Sequence, residues 1–343
     1  KMVRIILIIA LLTMVHSLKY TLRRKPAEEP LTTKLRKFLK TESEIIERDL
    51  LTETAERKVN LANDQNAAYS ATMNIGSDKM ELTFLVDTGS PWFWVPLNTC
   101  TNCRAGATKY IPSSSYIASN KEGNASYVNG KFATGTIATE QVRITPNDDS
   151  IDLKLIGVDN ENSMSSLTED GILGLAPSAD SGTDLYVEQL YKQKIIPEKT
   201  FGLDINDENS PSSIIFGGYD STQITDPTQI KYVEIYDKTN WWTKHFEVLY
   251  GDTIVTSKGG LTVFDSGTSI TTFSTNVFKA FQAGTAAKFD GCEMKSFPGL
   301  SINLWHCPCT SPDDFEDIGI SLHKLRVFID KANYVVANGA GQC

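Results

Sequence analysis

One short phrase occurs twice in this chain and carries a carboxylate each time. Phe84-Leu85-Val86-Asp87-Thr88-Gly89-Ser90 returns as Thr262-Val263-Phe264-Asp265-Ser266-Gly267-Thr268. Each copy is an apolar run ending in Asp, a small hydroxyl residue, Gly and a further hydroxyl. A single Asp-Thr-Gly is a common strand-to-turn junction. A duplicated one, with strand-like residues before both copies, predicts two similar lobes that bring Asp87 and Asp265 face to face. Two carboxylates at close range cannot both ionise cheaply, so one pKa falls and the other rises. The ionised member can then take a proton from water while the protonated member polarises a carbonyl, with no metal required.

The residues after each aspartate suit that task. Gly89 and Gly267 let the backbone turn sharply and approach the opposite loop. Thr88 and Ser266 can hydrogen-bond across the joint, and Ser90 and Thr268 can donate to the outer carboxylate oxygens.

The elements that must position these groups read as strands. Short Val/Ile/Tyr/Phe-rich runs are punctuated by Gly, Ser, Thr and Asn, which predicts an all-β fold with short helices. Strands are expected over 69–75, 82–86, 230–235, 246–249 and 261–264, and a hairpin over 121–142 with Asn129-Gly130 as its tight turn. Ile172-Leu173-Gly174-Leu175 is a short buried run, and 214–218 closes a strand-rich unit. Helices are expected over 184–194 and 277–288, and amphipathic ones over 31–51. Residues 53–66 are polar and read as a linker open to processing.

Length and charge divide the chain further. At 343 residues it exceeds one typical domain. Residues 1–17 read as a secretory signal, with Arg4 before the apolar run Ile5 to Leu12 and a small-residue site at Val15-His16-Ser17. That run is too short to span a bilayer, so no stable membrane span is expected. Residues 18–58 hold 11 Lys/Arg against 8 Asp/Glu, a net of +3, and residues 59–343 hold 20 against 34, a net of −14. A basic leader ahead of an acidic body predicts an electrostatically docked prosegment over 18–60, and the acidic body argues against nucleic-acid binding.

Secretory entry favours disulfides among Cys100, Cys103, Cys292, Cys307, Cys309 and Cys343. Six cysteines allow 15 pairings, and spacing does not choose among them. Cys100-x-x-Cys103 stands without a second such pair or a His pair, which argues against zinc. The four histidines (His16, His245, His306 and His323) form no HExxH motif. Neither a metal nor a cofactor is expected. Asn124-Ala125-Ser126 is a glycosylation sequon.

These motifs resemble the pepsin-like aspartic proteases, the family of pepsin and cathepsin D, from about residue 61 to Cys343. Asp87-Thr88-Gly89-Ser90 with Trp94-Val95-Pro96 is similar to the family's first active-site motif, and Asp265-Ser266-Gly267-Thr268-Ser269 to its second. Tyr127 stands where the family has its flap tyrosine. Asp170-Gly171-Ile172-Leu173-Gly174-Leu175 resembles the run that threads behind the first loop. Phe216-Gly217-Gly218 and Trp241-Trp242 follow in order.

The resemblance implies a two-lobed all-β fold with the active-site cleft between an N-terminal lobe (61–228) and a C-terminal lobe (229–343). It implies that Asp87 and Asp265 are catalytic, supported by Thr88, Ser90 and Ser266. Tyr127, Val128 and Asn129 would belong to a flap that closes over a polypeptide held in extended form, contacted also by Trp94, Gly89, Gly267 and Thr268. Val128 stands where the family usually has Gly, which would stiffen the flap. Three disulfides are implied: Cys100 with Cys103, Cys309 with Cys343, and Cys292 with Cys307. A second apolar-apolar-Gly strand, which closes the C-terminal lobe in the family, is not found before Cys343, so the Asp265 loop is expected to lack its support. The expected activity is that of an endopeptidase made as a zymogen, inhibited by its own prosegment and activated by acid. It would be monomeric, in the secretory pathway and destined for a lysosome, a vacuole or the outside of the cell. The competing reading is a non-catalytic peptide-binding protein on the same fold.

Overall fold

The ten-stranded sheet that carries Asp87 mixes strands whose burial alternates, such as 57–64, 80–87 and 132–143, with short strands buried on both faces, 93–96, 171–174 and 212–216. In the computed structural model, residues 55–343 are described except 128–129, 179–181, 225, 227, 229, 237, 297–302 and 338–340. The secretory signal, almost all of the basic segment with its expected helices, and the flap residues Val128 and Asn129 lie outside the described residues.

The strands of this sheet are β1 (Arg57–Asp64), β2 (Ala68–Ile75), β3 (Met80–Asp87), β4 (Phe93–Pro96), β5 (Ile117–Ser126), β6 (Phe132–Arg143), β7 (Ile151–Asn162), β8 (Gly171–Gly174), β9 (Phe201–Asp204) and β10 (Ser212–Phe216). Their order is β5-β6-β7-β4-β8-β3-β2-β1-β10-β9. A short helix, α1 (Tyr186–Lys192), packs Tyr186 and Leu190 into the core. That core joins Phe84, Val86, Phe93, Leu153, Leu155, Leu173 and Phe216, all buried.

Residues 242–329 supply the second sheet. It contains β11 (Trp242–Tyr250), β12 (Thr253–Thr256), β13 (Gly260–Val263), β16 (Ile318–Leu322) and β17 (Leu325–Ile329), in the order β12-β11-β16-β17 with β13 also paired to β11. Helix α2 (Thr275–Ala286) buries Val277 and Phe281 against Val248, Tyr250, Phe315 and Ile318. A separate hairpin joins β14 (Glu293–Ser296) to β15 (Asn303–His306). Disulfides link Cys100 to Cys103, Cys292 to Cys307 and Cys309 to Cys343. The last of these is flanked by a reciprocal pair of backbone hydrogen bonds between Cys307 and Cys343, at 2.9 and 3.0 Å. Residues 55–343 form one compact unit. Among the described residues no helix is long and apolar enough to cross a membrane.

Two sequence expectations need correction. Residues 53–66 are not a linker, because Arg57–Asp64 is a strand. Arg57 to Leu61 pair with Phe216 to Ser212, and Ala62 to Asp64 with Ser70 to Ala68. The segment is polar because only alternate residues face inward and only Leu61 is fully buried, so an apolar-run criterion misses it. A domain boundary at residue 60 would cut this strand. Residues 230–235, expected as a strand, are irregular. Tyr232 is 90% exposed, and among the described residues no continuous ladder runs beside the segment: Glu234 O accepts from Thr243 Oγ1 at 3.1 Å, and just beyond it Tyr236 N donates to the Trp242 carbonyl at 2.6 Å.

A chain beginning at Leu61 should be less stable than one beginning at Ala55, by about 2–4 kcal/mol, because it lacks the Arg57–Asn60 rungs against β10. Urea unfolding followed by circular dichroism measures the difference.

Candidate active site

Asp87 is the last residue of β3, which lies between β2 on one side and β8 on the other. The parallel register matches Phe84 with Gly171 and Asp87 with Gly174. The end of β8 and the turn that follows it brace the Asp87 loop through three backbone N–H groups: Gly174 donates to Trp92 O (3.0 Å), Leu175 to Asp87 O (2.8 Å) and Ala176 to Ser90 O (3.0 Å). Asp170, buried just before β8, anchors the same region by accepting from Thr83 N, Thr83 Oγ1 and Thr108 N at 2.6–2.9 Å. Asp265 follows β13, which is paired on one side by β11 and, among the described residues, has no strand on the other.

The two loops grip each other through their hydroxyls. Thr88 Oγ1 donates to the Phe264 carbonyl (2.8 Å) and accepts from Ser266 N (2.9 Å). Ser266 Oγ donates to the Val86 carbonyl (2.6 Å) and accepts from Thr88 N (3.1 Å). Each carboxylate is held the same way within its own loop. Asp87 accepts from Gly89 N at 2.8 Å and from Ser90 Oγ. Asp265 accepts from Gly267 N at 2.9 Å and from Thr268 Oγ1 at 2.7 Å.

Both glycines are required by the closeness of the loops. A Cβ on Gly89 would lie 2.5 Å from the Asp265 carboxylate, and one on Gly267 would lie 2.4 Å from Asp87 Oδ1. Such contacts are forbidden, so any side chain at either position would force the carboxylates apart.

Burial is the largest influence on Asp87 and pushes its pKa up. The Ser90 hydrogen bond opposes this, while the charge of Asp265 adds to it, and the result is about 6. A carboxyl raised by burial and by a second carboxylate retains its proton in weak acid, and that proton belongs to the pair. The arrangement can therefore supply a general acid and a general base within one site.

The hairpin of β5 and β6 brings Tyr127 over this pair. Tyr127 N donates to Lys131 O at 2.8 Å to close the hairpin, and Gly130 has a φ of +72°. Trp94 Nε1 donates to the Tyr127 hydroxyl at 2.8 Å. Burial and the nearby Asp87 charge both push the phenol's pKa up, so it stays neutral.

A family model, "Eukaryotic aspartyl protease", matches residues 68–343. The chain belongs to this family. Among curated relatives, rhizopuspepsin-3 of Rhizopus niveus is 28% identical over 309 residues, covering 79% of this chain and 76% of that protein. Pepsin A of Rhinolophus ferrumequinum is 28% identical over 285 residues, covering 77% and 69%. A solved structure, the aspartic proteinase from Irpex lacteus, superposes with a TM-score of 0.66 at 19% identity and covers 81% of this chain and 79% of its own. The fold is thus that of the pepsin-like aspartyl proteases.

Within this protease framework the structure gathers Asp87, Thr88, Gly89, Ser90, Asp265, Ser266, Gly267, Thr268, Trp94 and Tyr127 into one site. Asn124 lies apart on the exposed side of β5, where its Oδ1 accepts from Ser126 Oγ at 3.0 Å. Three further residues bear on the site and escape a motif search. Asn240, with its amide nitrogen turned toward the loop, donates to Gly89 O (3.1 Å) and accepts from Trp242 Nε1 (3.3 Å). Arg104 sits behind Trp94, with its guanidinium carbon 5.8 Å from the ring centroid, and forms a buried ion pair with Glu161 at 2.7 Å. Trp92 packs edge-on against Tyr127. Lone Asn, Arg and Trp residues carry no spacing signal.

Ser266→Ala removes both the donor to Val86 O and the acceptor for Thr88 N. It should cost about 2–4 kcal/mol in urea unfolding, because two backbone groups lose their partners. Ser266→Thr, which keeps the hydroxyl, should restore most of the loss.

Proposed function

We propose that this chain is an aspartic endopeptidase in which Asp87 and Asp265 form the catalytic pair. The observation that carries the reading is the pair itself: two carboxylates brought together by reciprocal hydroxyl bonds, with Asp87 raised to about 6 by burial, the Ser90 bond notwithstanding, and by its neighbour. The ionised member takes a proton from a water molecule, which attacks the peptide carbonyl. The protonated member hydrogen-bonds the carbonyl oxygen and stabilises the tetrahedral intermediate. Proton transfer to the leaving nitrogen then breaks the C–N bond and returns the pair to its starting state. No covalent enzyme intermediate is needed.

The substrate is a polypeptide in extended form, lying between the two loops and the Tyr127 hairpin. Gly89 and Gly267 offer it backbone contacts, Thr268 lies beside them, and Trp94 holds the flap tyrosine. A closed flap excludes bulk water and strengthens each electrostatic contact inside. The names of the relatives, rhizopuspepsin and pepsin A, support the same chemistry for this chain. No feature of the site favours a non-catalytic role: both carboxylates, their hydroxyl partners and the flap tyrosine are all in place.

Regulation belongs to the same proposal. The segment ahead of β1 carries more Lys and Arg than Asp and Glu and the body is acidic, so the leader docks as an intramolecular inhibitor near neutral pH and loosens as acidic partners are protonated. Such a zymogen suits a monomer that enters the secretory pathway and works in an acidic compartment or outside the cell, with Asn124 available for glycosylation.

Hydrolysis should decline as pH rises through about 6, where the pair loses its shared proton. A linked effect on stability has a definite sign. An exposed aspartate in the unfolded chain loses its proton near pH ~3.9, whereas folded Asp87 keeps it to about 6. The folded state therefore binds more protons between those values, and stability falls as pH rises across that window. Asp87→Asn should abolish hydrolysis of an acid-cleaved peptide. It should also raise the melting temperature at pH 7 while changing it little at pH 3.5. Residual hydrolysis by this variant above background would overturn the assignment.

A further inference from the structure

Arg104 is a buried cation with no part in the joint between the two carboxylate loops. Its side chain is tied on three sides. Nη1 donates to Glu161 Oε1 at 2.7 Å, and the Arg104 backbone N–H donates to Glu161 Oε2 at 3.1 Å. Nη2 donates to the carbonyls of Glu169 and Asp170, the latter at 2.7 Å. The guanidinium carbon lies over the Trp94 ring, 5.8 Å from its centroid. The side chains of Arg104 and Glu161 are only 8% and 2% exposed.

Taking two charges out of water costs several kcal/mol per ion before their attraction offsets it, and apolar residues of similar volume often stabilise a core at least as well. Stability alone is therefore a weak reason for this pair.

Its partners point to another role. Trp94 is fully buried on β4, and its Nε1 donates to the Tyr127 hydroxyl at 2.8 Å. Glu161 stands on β7 opposite Ala133 of β6, the strand that returns from Tyr127. Glu169 and Asp170 lead into β8, which pairs with the end of β3 and braces the Asp87 loop. One guanidinium thus joins the strand paired with the flap hairpin, the support of the Asp87 loop and the indole that holds the flap tyrosine. A cation over an indole face is attracted to its π electrons. The same field draws density from the ring and makes its N–H a stronger donor. Arginine suits the place better than lysine, because its planar fork bonds a carboxylate and carbonyls at once while lying over the ring.

We propose that Arg104 is a positioning residue for the flap: it fixes the Trp94 indole from behind and strengthens the bond by which Nε1 holds the Tyr127 hydroxyl. The inference rests on the proposed function. Among the described residues no hydrogen bond or ion pair joins Arg104 to Asp87 or Asp265, so its effect on hydrolysis passes through Trp94 and Tyr127.

Removing Arg104 alone leaves Glu161 buried and unpaired. The test therefore uses Arg104→Met/Glu161→Gln, which removes both charges and keeps the side-chain lengths. Tyr127→Phe, which removes the hydroxyl that Trp94 holds, completes a double-mutant cycle. The two-site variant should lower kcat/KM for an acid-cleaved peptide about 5-fold, yet cause no further loss in the Tyr127→Phe background. Equal losses in both backgrounds would overturn the inference, because the charges would then act through general stability; so would no loss in either. Hydrogen exchange at the indole nitrogens, followed by NMR, gives a second reading that needs no activity. In the Arg104→Met/Glu161→Gln variant the Trp94 Nε1 proton should exchange with water about 5-fold faster. The Trp305 Nε1 proton, bonded to Thr285 Oγ1, should keep its rate. An unchanged rate at Trp94, or an equal increase at Trp305, overturns the inference. Absence of any cleavage by the wild-type protein would overturn the proposed function, whereas exchange at Trp94 decides the positioning role by itself.

Discussion

Two like charges are held at close range here by bonds that carry no charge. Thr88 and Ser266 each give a proton to a carbonyl of the opposite loop and take one from its backbone N–H. The choice of hydroxyls matters. A lysine or arginine at the joint would hold the loops together more strongly, but its field would favour both ionised carboxylates and lower the pKa that burial raises. Neutral donors fix the geometry and leave the repulsion between Asp87 and Asp265 in place. The glycines follow from the same requirement, since no side chain fits between the loops. Everything else in the site is a support for this joint or a cover over it.

The support is unequal. The Asp87 loop rests on three N–H donors from the end of β8 and the turn after it, and its strand is paired on both sides. The Asp265 loop follows a strand paired on one side among the described residues, and Phe264, its counterpart to the fully buried Val86, is half exposed. Burial is the first cause of the raised pKa on Asp87, so the close packing of its loop acts on the carboxyl itself.

Much of this was legible in the residues. The duplicated Asp-hydroxyl-Gly phrase pointed to two facing loops because few other arrangements need glycine and hydroxyl in that order twice. The strands expected over 69–75 and 82–86 fall within β2 and β3, where apolar residues alternate, and the hairpin expected over 121–142 is formed by β5 and β6. Arg57–Asp64 did not, because a strand whose inward positions are mostly half-buried needs few apolar residues, and its hydrogen bonds come from partners far along the chain. Residues 230–235 misled in the opposite way: apolar residues at strand-like spacing do not make a strand without a neighbour to pair with. Asn240, Arg104 and Trp92 were hidden for a third reason. Each acts through a contact that only the folded chain creates, and a single residue has no periodicity to betray it.

The chain holds five tryptophans, and four of them stand around the paired loops. Trp92 and Trp94 touch Tyr127, Trp241 Nε1 reaches the Leu175 carbonyl at 2.9 Å, and Trp242 meets Asn240 beside Gly89. Only Trp305 lies elsewhere, donating to Thr285 Oγ1 at 2.8 Å. Intrinsic emission from this protein is therefore dominated by the cleft rather than spread over the fold. Indole fluorescence responds to local polarity and to quenching by nearby groups, so flap movement and occupancy change the spectrum directly. The molecule carries its own optical reporter, placed where its chemistry is.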